Sequence, residues 1–351
     1  MLLDSVLDEN AIIVENVVDA TDALTECLIG VEQAHGEMML EQAKDEFKQF
    51  VNEGSIEPIS EGVVDSIKNF FKKLWNFIKK YWNKLKNWVT GLNKNAYQYY
   101  QVNEAKIKTG INSVTKFYGY TGLKDFSNIA GLNNRINAAV AKHIGFTGIA
   151  GTSIDSRYST DYDGYLKSAE KADKSNASIK TKEATDNALR TALGDFKKLI
   201  IGSNSSSTEE SFVTILKDDI RGGNKEVTMK YSFDELKKVL SNEAAVKNLA
   251  SSIKMQENVT KKLENEAFKY SHMEDSNKNS GRAANFCTQL AKLTTTACNA
   301  ADSMIAEVVK QADRFAHMAV SGKSDSERKN EDTEFADIGD AKAYLESIGL
   351  A

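Results

Sequence analysis

Proline is almost missing from this chain. Pro58 is the only one in 351 residues, where average usage gives about 17. Because proline lacks an N–H and collides with the preceding helical turn, its scarcity predicts long helices and few rigid turns. Cysteine is scarce as well: Cys27, Cys287 and Cys298 cannot make a disulfide framework, and an odd number suits a reducing compartment. The longest apolar runs are a few residues, far short of the ~20 that span a bilayer as a helix. The amino terminus, Met-Leu-Leu-Asp, has no basic region before an apolar one, so no secretory leader is expected. A helical membrane channel, a collagen-like chain and a disulfide-rich toxin are excluded.

What is present is a soluble composition, 41% hydrophobic and 27% charged, which argues against wholesale disorder. The net charge of −5 hides an asymmetry. Residues 1–61 carry 15 acidic side chains against Lys44 and Lys48, a net −13, and the other 290 residues carry a net +8. The switch is abrupt. No acidic residue occurs from Ser66 to Asn103, a stretch holding Lys68, Lys72, Lys73, Lys79, Lys80, Lys84, Lys86 and Lys94. Blocks of opposite sign attract, either as an acidic helix folded on a basic one or as a detachable segment masking a polyanion-binding body.

The fold class expected is mainly α: an elongated bundle of long amphipathic helices with at most one short β-hairpin or strand pair near 212–231. Four regions are expected. Residues 1–61 form an acidic helical segment, with Val14, Val17, Thr21, Leu24 and Leu28 on one face and a linker at 52–62. Residues 62–202 open with the strongest periodic signal of the chain. Val64, Ile67, Phe71, Leu74, Ile78, Tyr81, Leu85, Trp88 and Leu92 step by three and four, which makes four heptads with an apolar seam. Trp75, Trp82, Val89, Phe70 and Phe77 widen that seam, and lysines take the opposite face. Frequent glycines over 96–150 predict bent or loosely connected helices, 151–182 reads as a polar loop, and 185–201 as a helix.

The third region, 203–322, begins with a short helix at 212–220 capped by Thr208 and a turn at Gly222-Gly223. Val227, Met229 and Tyr231 then alternate as a strand. Ser232 with Glu235 is a capping box opening a helix to about 270. A last long helix over 282–320 carries a seam of small residues (Ala283, Cys287, Leu290, Thr294, Ala297, Ala301, Met304, Val308) suited to close helix approach. Residues 323–351 are a charged tail with a short helix at 336–350.

The search for catalytic chemistry finds little. His35, His143, His272 and His317 are scattered, and no HExxH, CxxC, Gly-x-Ser-x-Gly or phosphate-binding Gly-x4-Gly-Lys motif occurs. A Cys287–His317 dyad is conceivable, but a cysteine on an apolar helical seam is more often core than nucleophile. Ser159, Asp161, Asp163, Gly164, Leu166 and Glu170 fall at positions 1, 3, 5, 6, 8 and 12 of an EF-hand-type calcium loop. Serine at position 1 and the lack of an entering helix make this a chance match, so no metal or cofactor is expected, and no enzyme activity.

The Lys/Trp helix admits three readings: a bundle helix showing lysines to water, an interfacial membrane helix with tryptophans at headgroup depth, or a nucleic-acid element whose Lys68, Lys72, Lys73, Lys79, Lys80, Lys84 and Lys86 neutralise phosphates. Its apolar face is too wide to stay bare, so something must cover it. Bundle packing is the expected covering.

Ile59-Ser60-Glu61, followed by Gly62, resembles the hydrophobic–X–Glu signal cleaved by prohead proteases of large tailed bacteriophages. Ser55-Ile56-Glu57 resembles the small–X–Glu signal of giant phages, with Pro58 unfavourably placed behind it. The pattern also occurs at Leu7-Asp8-Glu9, Leu24-Thr25-Glu26 and Ile305-Ala306-Glu307. Ile59–Glu61 differs in lying in the linker at the charge switch. The resemblance covers about the first sixty residues and implies a capsid-targeting propeptide removed between Glu61 and Gly62. It implies a non-enzymatic internal head protein of the virion, made in the host cytoplasm and packaged in the capsid interior. Its partners would be other capsid proteins, double-stranded DNA bound nonspecifically, and further copies of itself. The rival expectation is a soluble α-helical membrane-active protein of the pore-forming kind, entering lipid through residues 66–92 or 138–154.

Overall fold

The computed structural model describes residues 63–147, 192–201, 209–271 and 280–322. The acidic segment 1–61 and the tail 323–351 therefore lie outside the described residues, as do the expected loop over 151–182 and the Thr208 cap. The fold is mainly α, with seven helices and one two-stranded antiparallel sheet among the described residues.

Helix α1, Val63–Gly110, is 48 residues long, about 72 Å at 1.5 Å per residue. It runs well past the seam at 64–92, because glycine at position 91 meets no steric demand and Ala96, Tyr100 and Ile107 continue the buried stripe. The loosely connected helices expected from residue 96 are thus, in their first part, the end of one long helix. Gly110 closes it where the backbone approaches another helix. A Cβ there would stand 1.8 Å from the Ala319 carbonyl oxygen, so only glycine fits without a shift.

The chain next makes a short 3-10 turn at Ile111–Ser113, strand β1 at Tyr118–Gly119, a second 3-10 turn at Thr121–Leu123 and helix α2 at Ser127–Thr147. Residues 192–201 are helical, within the stretch expected. Helix α3, Glu209–Arg221, ends at Gly222 and Gly223, whose φ angles of 76° and 143° favour glycine. Strand β2, Val227–Thr228, pairs antiparallel with β1, with Gly119 opposite Val227 and Tyr118 opposite Thr228. The strand pair is therefore a clasp between distant segments, not a hairpin within 212–231.

Ser232 forms the expected capping box with Glu235: the Glu235 N–H donates to the serine oxygen at 3.2 Å, and the Ser232 N–H donates to the carboxylate at 2.7 Å. The helix it opens is short. Helix α4 is Phe233–Val239, and a break with Glu243 at φ 60° precedes α5, Ala244–Ser271. The start of α5 is capped from outside, since Asn93 Oδ1 of α1 accepts from the Ala245 N–H at 3.0 Å. That distant cap permits a break no local glycine or proline marks. Helix α6 is Ser280–Ser321, 42 residues.

Helix α6 is the centre of the bundle. α1 runs beside it in the same direction: Lys292 lies over Phe70, the Tyr81 hydroxyl donates to the Asn299 carbonyl at 3.3 Å, and Gly110 abuts Ala319. α5 runs the other way, with Gln256 against Trp82 and Glu264 against Trp75. α1 and α2 each pack on both α5 and α6, and α3 packs on α6 and α2. One continuous hydrophobic core results, drawing on residues before and after position 202.

Candidate polyanion interface

The two faces of α1 separate cleanly. Ile67, Phe71, Leu74, Ile78, Tyr81, Leu85 and Val89 are buried at 0–1% exposure, each fully buried large aliphatic or Phe side chain stabilising the fold by roughly 1.5–3 kcal/mol. The covering left open by the sequence is therefore α5 and α6. All three tryptophans turn inward. Trp82 donates to Gln256 Oε1 at 2.9 Å, Trp75 donates to Glu264 Oε2 at 3.3 Å, and half-buried Trp88 lies under Lys310, 5.1 Å from its ring centre. Indoles engaged this way cannot stack on bases or rest at headgroup depth while the bundle is closed.

The other face is lysine. Lys68, Lys72, Lys73, Lys79, Lys80 and Lys86 are exposed and Lys84 is half-buried. Lys68, Lys72, Lys79 and Lys86 fall within about 40° of one another around the helix, over about 27 Å of its length. Among the described residues, no ion pair engages Lys68, Lys72, Lys73, Lys79 or Lys86. Charges spaced along a rigid rod in this way match the charge spacing of a linear polyanion and offer no base-specific geometry.

The remaining sites suggested by sequence fall into two groups. Glu61 and Gly62, and the calcium-loop match at Ser159, Asp161, Asp163 and Glu170, lie outside the described residues. Among the described residues no cluster of acidic, histidine or cysteine side chains could hold a metal. The Cys287–His317 dyad is ruled out by the fold: both residues sit on α6, thirty positions apart, about 45 Å along the axis. Cys287 is core, and His317 stacks on Tyr99 with ring centres 3.4 Å apart. Of the other cleavage-like motifs, Ile305-Ala306-Glu307 lies inside α6 with Ile305 and Ala306 fully buried, which shields it from a protease in the folded chain.

Sequence reading missed a buried polar seam. Ser252, Gln256, Thr260 and Glu264 recur every four residues on α5 and are all buried. Ser252 meets Asp302 in a second buried polar run on α6, which also holds Thr295 and Asn299, while Gln256 and Glu264 meet Trp82 and Trp75 of α1. Asn133 of α2 donates to Ser252 Oγ at 3.0 Å, and Ser252 in turn is hydrogen-bonded to Asp302 Oδ1. Burial holds the Asp302 carboxyl far above the usual carboxylate range, at about 7, with the serine hydrogen bond pulling it slightly back. His143 is another buried group. Its Nδ1 lies 2.9 Å from the Ala139 carbonyl, its ring meets Phe196 edge-on, and burial lowers its pKa. No spacing in the sequence distinguishes these positions from an outward polar stripe.

No protein-family model matches the chain, and neither a curated protein nor a solved structure matches it. No helix among the described residues is long and apolar enough to cross a membrane.

Proposed function

We propose that this chain is a non-enzymatic virion structural protein, an internal head protein of a tailed bacteriophage that is packaged with DNA after cleavage between Glu61 and Gly62. The observation that carries the reading is the row of exposed lysines on α1 between Lys68 and Lys86, which starts within a few residues of that bond. The core formed by the described residues begins at Ile67, so it is built from segments that stay in the chain after the cut. Removal of residues 1–61 turns a net −5 into a net +8, and an acidic segment competing for the lysines would mask them until then. Entry through residues 66–92, the first route of the membrane-active alternative, needs the apolar face of α1, which α5 and α6 occupy; the second route, 138–154, lies only in part within the described residues.

The test is a salt-titrated DNA-binding assay on residues 1–351 and 62–351, with circular dichroism on each. If about four lysines contact phosphates, log K for the shorter chain falls with log salt at roughly −3 to −4, and the longer chain binds far more weakly. Equal affinities with both chains folded would overturn the masking. N-terminal sequencing of particle-associated protein tests the cleavage itself, and a mature chain beginning at Met1 would end it.

A further inference from the structure

The α2–α5–α6 junction is closed by a relay of three side chains, one from each helix: Asn133, Ser252 and Asp302. A proton inventory shows what state of Asp302 it accepts. An ionised carboxylate offers about four lone pairs and wants several donors. Here Oδ1 meets one hydroxyl and Oδ2 is buried with no partner. Asp302 itself is fully buried. The titratable group beside it is Cys298, one turn earlier on α6, also fully buried, its thiol pushed up by burial and by Asp302. The relay groups from α2 and α5, Asn133 and Ser252, do not titrate, and α1 reaches this stretch of α6 through the Tyr81 hydroxyl on the Asn299 carbonyl. No charged side chain among the described residues offsets a negative charge here. A buried charge without a partner is costly enough that a fold either keeps the group neutral or opens to water.

We propose that Asp302 is a proton-dependent latch, holding α5 and α2 against α6 while its carboxyl is neutral and releasing that junction when it ionises. The sign follows from the two states. Once the junction opens, the carboxyl ionises at its ordinary value near 3.8, whereas the closed junction keeps its proton up to about 7. Between these values opening releases a proton, so each pH unit favours the open form up to tenfold; above about 7 both forms are ionised and the dependence levels off.

Cys298 provides the readout, because its buried thiol reacts only when the junction opens. Trypsin cuts after Lys292, separating Cys298 from Cys287, so N-ethylmaleimide labelling of each is read by peptide mapping. The rate at Cys298 in the full chain is divided by that in the free tryptic peptide 293–310 at the same pH, which removes the thiol's own pH dependence. The expected ratio rises up to about tenfold per unit from pH 5 to 7 and then flattens. Asp302→Asn, neutral at every pH, gives a flat ratio. Ser252→Ala removes the one donor to the anion and displaces the plateau to higher pH. A flat ratio in the native chain overturns the latch, and so does an equal rise in Asp302→Asn. Should Asp302→Asn fail to fold, the native profile and the direction of the Ser252→Ala shift decide alone.

Discussion

Among the described residues, α1 and α6 are the two longest helices; they lie side by side in the same direction and are held by different means. α1 has two faces, one of Phe, Ile, Leu and Trp buried against its neighbours and one of lysine in solvent. Through residues 294–306 α6 has no exposed face, and only from Glu307 on does a half-buried stripe of Glu307, Lys310, Arg314 and His317 reach solvent. Ala300, Ala301 and Ala306 point in three directions roughly 100–140° apart around the axis, and all are buried. A helix buried all round is usually apolar all round, yet α6 buries Thr294, Thr295, Thr296, Asn299, Asp302 and Ser303. Small size explains the tolerance. Short side chains let neighbouring helices come close, and a hydroxyl can bond its own helix, as Ser303 does to the Ala300 carbonyl at 2.8 Å. α1 is specified by hydrophobic pattern; α6 is specified by volume.

The sharpest test of that contrast is to delete volume on the buried face of α1. Phe71→Ala removes a fully buried ring in contact with Phe70 and Phe268, and we expect a loss of about 3–5 kcal/mol in urea unfolding followed by circular dichroism. A loss below about 1 kcal/mol would mean that the seam does not hold the bundle. Adding volume to α6 comes next. Ala300→Leu, Ala301→Leu and Ala306→Leu are each expected to cost about 1–3 kcal/mol by overpacking. If one of the three is neutral, α6 has a free face and the contrast fails on that side.

A smaller effect is expected where α6 meets the strand pair. The Gln311 side-chain amide accepts from the Tyr120 N–H at 2.7 Å and donates to the Tyr120 carbonyl at 3.0 Å, as a neighbouring strand would, and also donates to the Tyr231 hydroxyl at 2.9 Å. Gln311→Ala strands these groups and should cost about 1–2 kcal/mol. Hydrogen exchange at the Met229 amide, which donates to the Phe117 carbonyl at 2.9 Å, should speed up first.

The two helices also differ in how much the sequence disclosed. The heptad seam of α1, the Ser232–Glu235 capping box, the Gly222-Gly223 stop and the extent of α6 were readable, because each rests on local chemistry: spacing, a side-chain cap, a positive φ. The break between α4 and α5 was not, since its cap comes from Asn93 on another helix. Nor was the partner of β2, two residues at Tyr118–Gly119 placed by the clasp of Gln311 rather than by any strand pattern. Of the candidate site, the lysine face was legible and its neighbour was not. The α5 stripe of Ser252, Gln256, Thr260 and Glu264 has the spacing of a solvated face, yet α6 and α1 close over it, with Asp302, Trp82 and Trp75 bonding Ser252, Gln256 and Glu264.

The smallest expected effect on stability falls on the outer face of α1, and there the comparison turns from folding to binding. Lys79 and Lys86 are exposed and have no ion pair among the described residues, so replacing both by alanine removes no buried contact. Surface substitutions of this kind usually stay within about 0.5 kcal/mol, and relieving repulsion along the lysine row offsets part of any lost packing of the side-chain stems. The same pair sits on the line of charges proposed above for phosphate contact. Each lysine lost from such a contact removes about 0.9 from the slope of log K against log salt. In the 62–351 chain, Lys79→Ala with Lys86→Ala should therefore lower the slope by roughly 2 while urea midpoints stay put. Lys237 and Lys238 of α4 supply the control. They are exposed too, but pair with Glu104 and Asp125 at 3.7 Å, and their removal should leave the salt slope unchanged. A slope that falls equally for both pairs would mean that DNA responds to net charge wherever it lies, and α1 would be one basic surface among several.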